Sequence, residues 1–124
     1  MAKRVEVVGF LNLFKGCIMI GRYAIKDRER NRQGLIDLNI SPEERKEALL
    51  GLQPEDYVAG PKADDTDNTK QVWEFGKVVN GQATYMKLRV VQQAGRQGIF
   101  HALVWSFHPA DYPMKHPPLQ GGEL

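Results

Sequence analysis

Tyr85, Lys87 and Arg89 alternate along one short segment with Thr84, Met86, Leu88 and Val90 between them. On a β-strand, where successive side chains point to opposite faces, this alternation puts a phenol and two cations on one face and an apolar row on the other. Glu74 and His108 join the same face when the neighbouring segments pair as argued below. A carboxylate, an imidazole, a phenol and two fixed cations are the parts that cleavage of a ribonucleotide chain requires without a metal. A base must take the 2′-hydroxyl proton, a cation must meet the charge on phosphorus, and an acid must protonate the leaving 5′-oxygen. Glu74 suits the first role, Lys87 or Arg89 the second, and His108 or Tyr85 the third. Histidine is well matched to proton transfer because its ordinary pKa, about 6.5, lies near neutrality. The competing reading is a half-buried sheet with its wet side outward, in which Glu74 and Lys87 form a cross-strand ion pair worth a few tenths to roughly 1 kcal/mol.

The elements that would hold these groups follow from turn chemistry. Val72 to Val79 and Gln82 to Gln92 are separated by Asn80-Gly81, the pair that best tolerates a type I′ hairpin turn. Pairing Val79 with Gln82 sets Phe75 opposite Met86, Trp73 opposite Leu88, Glu74 opposite Lys87 and Gly76 opposite Tyr85. A third strand from Ile99 to Phe107 returns through Ala94-Gly95-Arg96-Gln97-Gly98. Strict alternation then directs Leu103, Trp105 and Phe107 into the core together with His101, and Ser106 and His108 onto the face that carries Tyr85 and Lys87. From Pro109 onward, Pro113, Pro117 and Pro118 read as an extended tail or a strap across the sheet, able to cover an edge strand.

Ahead of the hairpin, Val7, Phe10, Leu11 and Phe14 have helical spacing and predict a helix over 5 to 15 that stops at Gly16. Residues 17 to 25 are rich in β-branched and aromatic types and read as a strand. Lys26 to Gln33 is polar and basic, either an exposed connection or the first turn of a helix running toward Leu38. Ser41-Pro42-Glu43-Glu44 combines an N-cap serine, a proline at the first helical position and a glutamate that returns the cap, predicting a helix over 42 to 51. Gln53 to Lys70 reads as loop. Its run Asp64-Asp65-Thr66-Asp67-Asn68 lacks the glycine and trailing glutamate of a calcium loop and reads as a solvated turn.

Composition narrows the classes. The chain has 124 residues, 42% of them hydrophobic, and a net charge of +2, which suits one domain with a modest core, here 1 to 124 with the tail from 109. No apolar run approaches the roughly 20 residues that span a bilayer, and no cleavable leader is evident, so a cytoplasmic location without a membrane partner is expected. Cys17 stands alone, excluding a disulfide within the chain and a cysteine zinc site, and the spacing of His101, His108 and His116 fits no zinc pattern. No metal or cofactor is expected. Near-neutrality hides a dipolar chain: residues 1 to 32 carry a net +5, 33 to 70 a net −5, and the remainder +2. Arg28, Arg30 and Arg32, in the basic part, join Arg89 as candidate contacts to an RNA backbone.

The runs Leu50-Gly51-Leu52-Gln53-Pro54-Glu55-Asp56-Tyr57, Val72-Trp73, Gly81-Gln82-Ala83-Thr84-Tyr85-Met86-Lys87-Leu88 and Trp105-Ser106-Phe107 occur in an order that resembles the motility quorum-sensing regulator (MqsR) family of toxins. The resemblance covers residues 35 to 108. It implies a RelE-like α+β fold, an antiparallel sheet packed with two to three helices. It also implies metal-independent cleavage of mRNA and silencing by a cognate DNA-binding antitoxin. Tyr85 matches the family's functional tyrosine and Lys87 the lysine that follows. Ala59 stands where the family has a functional lysine, Glu74 where it has a glutamine, and His108 where it has a lysine after Ser-Phe. These departures leave two readings: an endoribonuclease whose base or acid is histidine, and a catalytically inactive module that binds RNA or antitoxin. A third, a structural protein assembling through a sheet edge, rests on the tail alone.

Overall fold

A computed structural model describes residues 2–64 and 70–119. Its helices are α1 (Arg4–Met19), α2 (Glu29–Leu38) and α3 (Pro42–Leu50). Its strands are β1 (Tyr23–Ile25), β2 (Tyr57–Ala63), β3 (Gln71–Val79), β4 (Gln82–Gln92) and β5 (Phe100–Pro109). The fold is α+β: one sheet in the order β1-β5-β4-β3-β2, antiparallel throughout except for the parallel pair β1 and β5. No helix among the described residues is long and apolar enough to cross a membrane.

The hairpin register is as the turn requires. Glu74 pairs with Lys87, Phe75 with Met86 and Gly76 with Tyr85, around Asn80 and Gly81 at φ of 48° and 83°. Phe75, Met86 and Leu88 are wholly buried on the inner face against α1, whose Phe10 stacks on Trp73 with ring centroids 4.6 Å apart. α3 starts as its cap predicts: the Glu44 amide donates to Ser41 Oγ and the Ser41 amide to Glu44 Oε1.

Four expectations are corrected. α1 runs on to Met19, because Cys17 and Ile18 continue its buried stripe while Gly9 and Gly16 lie on its open side, where they cost helix propensity but no packing. The helix ends before Gly21, whose φ is +80°, and only three residues of the expected 17–25 strand pair with the sheet. Residues 57–63 form an edge strand instead of a loop. Pro61 is accommodated there because an edge strand tolerates a residue that cannot donate. The phase of β5 is the fourth. Leu88 pairs with Val104 but Lys87 with Ser106, so one extra residue is inserted at Trp105 and Ser106. Ahead of this bulge Ala102 and Val104 are buried, and beyond it Phe107 is. Leu103, Trp105 and His101 therefore lie on the outer face, where His101 Nε2 lies 3.2 Å from Gln93 Oε1.

α2 crosses the part of β5 that β1 leaves uncovered. A Cβ at Gly34 would lie 2.6 Å from the Phe107 carbonyl oxygen and 3.1 Å from His108 Cα. A mid-helix glycine costs about 1 kcal/mol relative to alanine, and here the close approach of helix to strand requires it. Gly34→Ala is accordingly expected to lower stability by roughly 1–3 kcal/mol instead of raising it, read as a lower urea midpoint, since backbone must shift to admit the methyl. A midpoint at or above that of the parent chain would refute the packing argument.

Candidate active site

Beyond the bulge, β5 and β4 present one continuous outer row: His108 pairs with Tyr85 and Ser106 with Lys87. α2 brings Arg28 at its N-cap and Arg30 in its first turn to the same row, and residues 110–115 pass over it. Together they enclose a cleft of about 440 Å³ whose walls include Arg28, Arg30, Tyr85, Lys87, Ser106 and His108. The covering segment is the strap expected from the prolines. Met114 fits its thioether where Gly76, opposite Tyr85, has no side chain, and His116 Nδ1 donates to the Tyr57 carbonyl at 3.1 Å. It lies across the sheet face in addition to reaching the β2 edge.

His108 is the centre of the cleft. Its side chain is buried, and Nδ1 is 2.8 Å from the Pro109 carbonyl oxygen. A carbonyl only accepts, so Nδ1 carries the proton and Nε2 the lone pair. Nε2 has no hydrogen bond among the described residues and is not sealed from solvent. Arg30 Nη2 lies 3.4 Å from Nδ1, a contact of charge with ring since Nδ1 is already the donor, and 2.8 Å from Asp111 Oδ1. Burial is the main reason that the imidazole pKa falls below its ordinary value. The Pro109 carbonyl raises it, Arg30 and Arg28 lower it, and Asp111 raises it. The net is a ring held neutral at neutral pH, suited to accept a proton. Asp111 is held in turn below the usual carboxylate range by its hydrogen bond from Arg30.

Tyr85 packs against this ring, with centroids 5.5 Å apart and planes tilted by 40°, and its hydroxyl donates to Glu74 Oε2. Glu74 Oε1 accepts Lys62 Nζ at 3.1 Å, and Lys87 Nζ pairs with Asp64 at 2.5 Å. The expected Glu74–Lys87 pair is thus replaced by two pairs to other partners, although the two residues face each other in register. Asp64, 4% exposed, belongs to the site instead of to a solvated turn; the remaining residues of that run lie outside the described ones.

No family model, curated protein or solved structure matches this chain. The site therefore stands on its own geometry.

Of the residues singled out in the sequence, Tyr85, Lys87, His108, Arg28 and Arg30 converge on the cleft. Glu74 stands behind Tyr85, where it orients the phenol and is not a wall of the cleft. Arg89 lines a separate groove beside Phe10, Trp73 and Phe100, its Nη1 3.5 Å from the Gln71 carbonyl. Arg32 pairs with Asp27 in solvent. Asp64, Lys62 and Asp111 had no sequence signal beyond their charge, because each reaches the site from a segment whose path the pattern leaves open. Among the described residues no three His, Cys, Asp or Glu side chains converge as metal ligands.

Proposed function

We propose that the chain is a metal-independent endoribonuclease with a RelE-like fold that cleaves mRNA in the cytoplasm as the toxin of a toxin–antitoxin pair, silenced by a cognate DNA-binding antitoxin. The observation that carries the catalytic part is His108: a buried imidazole with Nδ1 fixed on a carbonyl, its other nitrogen open, between a phenol and two guanidinium groups. The resemblance to the motility quorum-sensing regulator family supports the biological setting.

In this reading a single-stranded RNA enters the cleft with one phosphate near Arg28, Arg30 and Lys87. His108 Nε2 takes the proton of the adjacent 2′-hydroxyl, and the freed oxygen attacks phosphorus. The cations meet the charge that builds on the non-bridging oxygens. As the bond to the 5′-oxygen breaks, the Tyr85 hydroxyl, turning from Glu74, supplies that oxygen with a proton. The products are a 2′,3′-cyclic phosphate and a 5′-hydroxyl, and the proton on His108 returns to the phenolate through water. Glu74 acts as a positioning residue.

The test is incubation of purified protein with an unstructured mRNA in EDTA. Cleavage is expected, with those two end groups. Its rate should rise with pH through the lowered His108 pKa, because only the neutral ring accepts a proton, and then level off. A second reading, an inactive RNA- or antitoxin-binding module, is favoured by Ala59 and by the carboxylate partners of Arg30 and Lys87. RNA that is bound and remains intact would establish it and remove the first.

A further inference from the structure

Of the two tryptophans, Trp73 packs against the core and Trp105 does not. It belongs to the β5 bulge, is half-buried on the outer face, and has Lys26 Nζ 3.8 Å and Lys70 Nζ 5.7 Å from its ring centroid. Its indole Nε1 is shut off from solvent and has no hydrogen-bond partner among the described residues. Beside the ring lies a hollow of about 180 Å³ lined by Ala24, Lys26, Leu103, Val104 and Trp105. Its floor is apolar, its rim is cationic, and none of the described residues that line it is acidic. A wet sheet face has no need of a half-buried tryptophan whose N–H finds no partner among the described residues.

The hollow and the cleft have no lining residue in common, but Arg28 connects them. Arg28 Nη1 lies 3.3 Å from the Trp105 carbonyl oxygen and 3.4 Å from Ser106 Oγ, and the same Arg28 lines the cleft around His108. The outer rows also run together, Ala24 beside Leu103 and Leu103 beside Arg89. A strand leaving the cleft past Arg28 arrives at Trp105.

Resting on the reading of the cleft as an RNA site, we propose that this hollow is a nucleobase subsite. It takes one unpaired base of the RNA that flanks the cleaved phosphate. The base lies against Trp105 and Leu103, while the ammonium group of Lys26 moves from the indole to that nucleotide's phosphate. A flat π-face beside an aromatic ring, with a neighbouring anion for the Lys26 cation, is what a single-stranded nucleotide supplies and what an acidic or apolar peptide supplies only in part.

The test uses a 2′-O-methyl oligonucleotide, which binds without being cut because its nucleophile is blocked. In a Trp73→Phe background Trp105 is the sole remaining tryptophan of the two, so its emission reports the hollow directly. Titration with the oligonucleotide is expected to quench it. Trp105→Leu should weaken binding roughly 5- to 100-fold, and Trp105→Phe, which keeps a ring, much less. Lys26→Gln, at an exposed position that leaves the fold intact, should lower the slope of log affinity against log salt by about 0.7. Tight binding with no quenching and no change in the Leu and Gln variants would overturn the subsite and leave the cleft reading standing. Quenching by a partner protein but not by RNA would overturn it too, and absence of any RNA binding would remove both.

Discussion

His108→Gln is expected to lose roughly 10²- to 10⁴-fold of RNA-cleaving activity, the usual contribution of a positioned general base. Glutamine fills most of the imidazole's space beside Gly34, so the urea midpoint should stay near that of the parent chain while the rate falls. His108→Ala should lose as much activity but also some stability, since it leaves a void under α2. The loss should carry a signature that a packing defect would not: the acid limb of the pH profile, set by the His108 ring, disappears from the residual activity. Tyr85→Phe, which removes the proposed acid and keeps the ring contact with His108, should be impaired with the limb still present. Wild-type rates in both His108→Gln and Tyr85→Phe would remove the site assignment.

The second large effect concerns Asn31, which is 2% exposed and plugs the edge of β5. β1 pairs only with residues 102–104, and Asn31 takes over where it stops. Its Oδ1 accepts the Phe107 amide at 2.9 Å, and its Nδ2 donates to the Trp105 and Lys26 carbonyls at 3.0 Å each. One side chain thus satisfies the backbone groups that a longer strand would have paired. Asn31→Leu keeps the volume and strips all three bonds. The Trp105 carbonyl keeps Arg28, but with the Phe107 N–H and the Lys26 carbonyl left wanting at about 1–3 kcal/mol each, a loss of roughly 2–5 kcal/mol is expected, a large part of the 5–15 typical of a domain. Denaturant unfolding measures it. An unchanged midpoint would show that β5 needs no partner there. Because Asn31 directly follows Arg30 and fixes the first turn of α2 on β5, the folded remainder of this variant should also cut RNA poorly.

Local chemistry made the hairpin and α3 legible. A two-residue Asn-Gly turn admits one register, and a capping box names its own first residue. The apolar stripe of α1 was legible as well, and its end was misplaced because glycine signals a stop only when it must adopt a positive φ, as Gly21 does and Gly16 does not. β5 was read with the right residues and an incomplete phase. Period-two alternation has no way to register one inserted residue, and the bulge is a property of how β5 meets both β4 and the helix beside it. The site divides in the same way. Tyr85, Lys87 and His108 follow from the strand pattern, whereas the partners that set their charge, Asp64, Lys62 and Asp111, come from segments that only tertiary packing positions. Asn31 was hidden among arginines that looked more eventful.

The place of β5 between β1 and β4 also sets an order of assembly. The hairpin of β3 and β4 closes over two residues, and β5 can join it through a short connection. α2 and β1 must wait for β5, since they dock on its far side, and contacts such as Arg28 with Ser106 join residues 78 apart in sequence. Closing so long a loop is entropically the dearest step and kinetically a late one. Yet that step is the one that delivers both guanidinium groups to His108. A half-folded chain has its antiparallel strands but not its cluster of charge, so the candidate site is completed together with the fold.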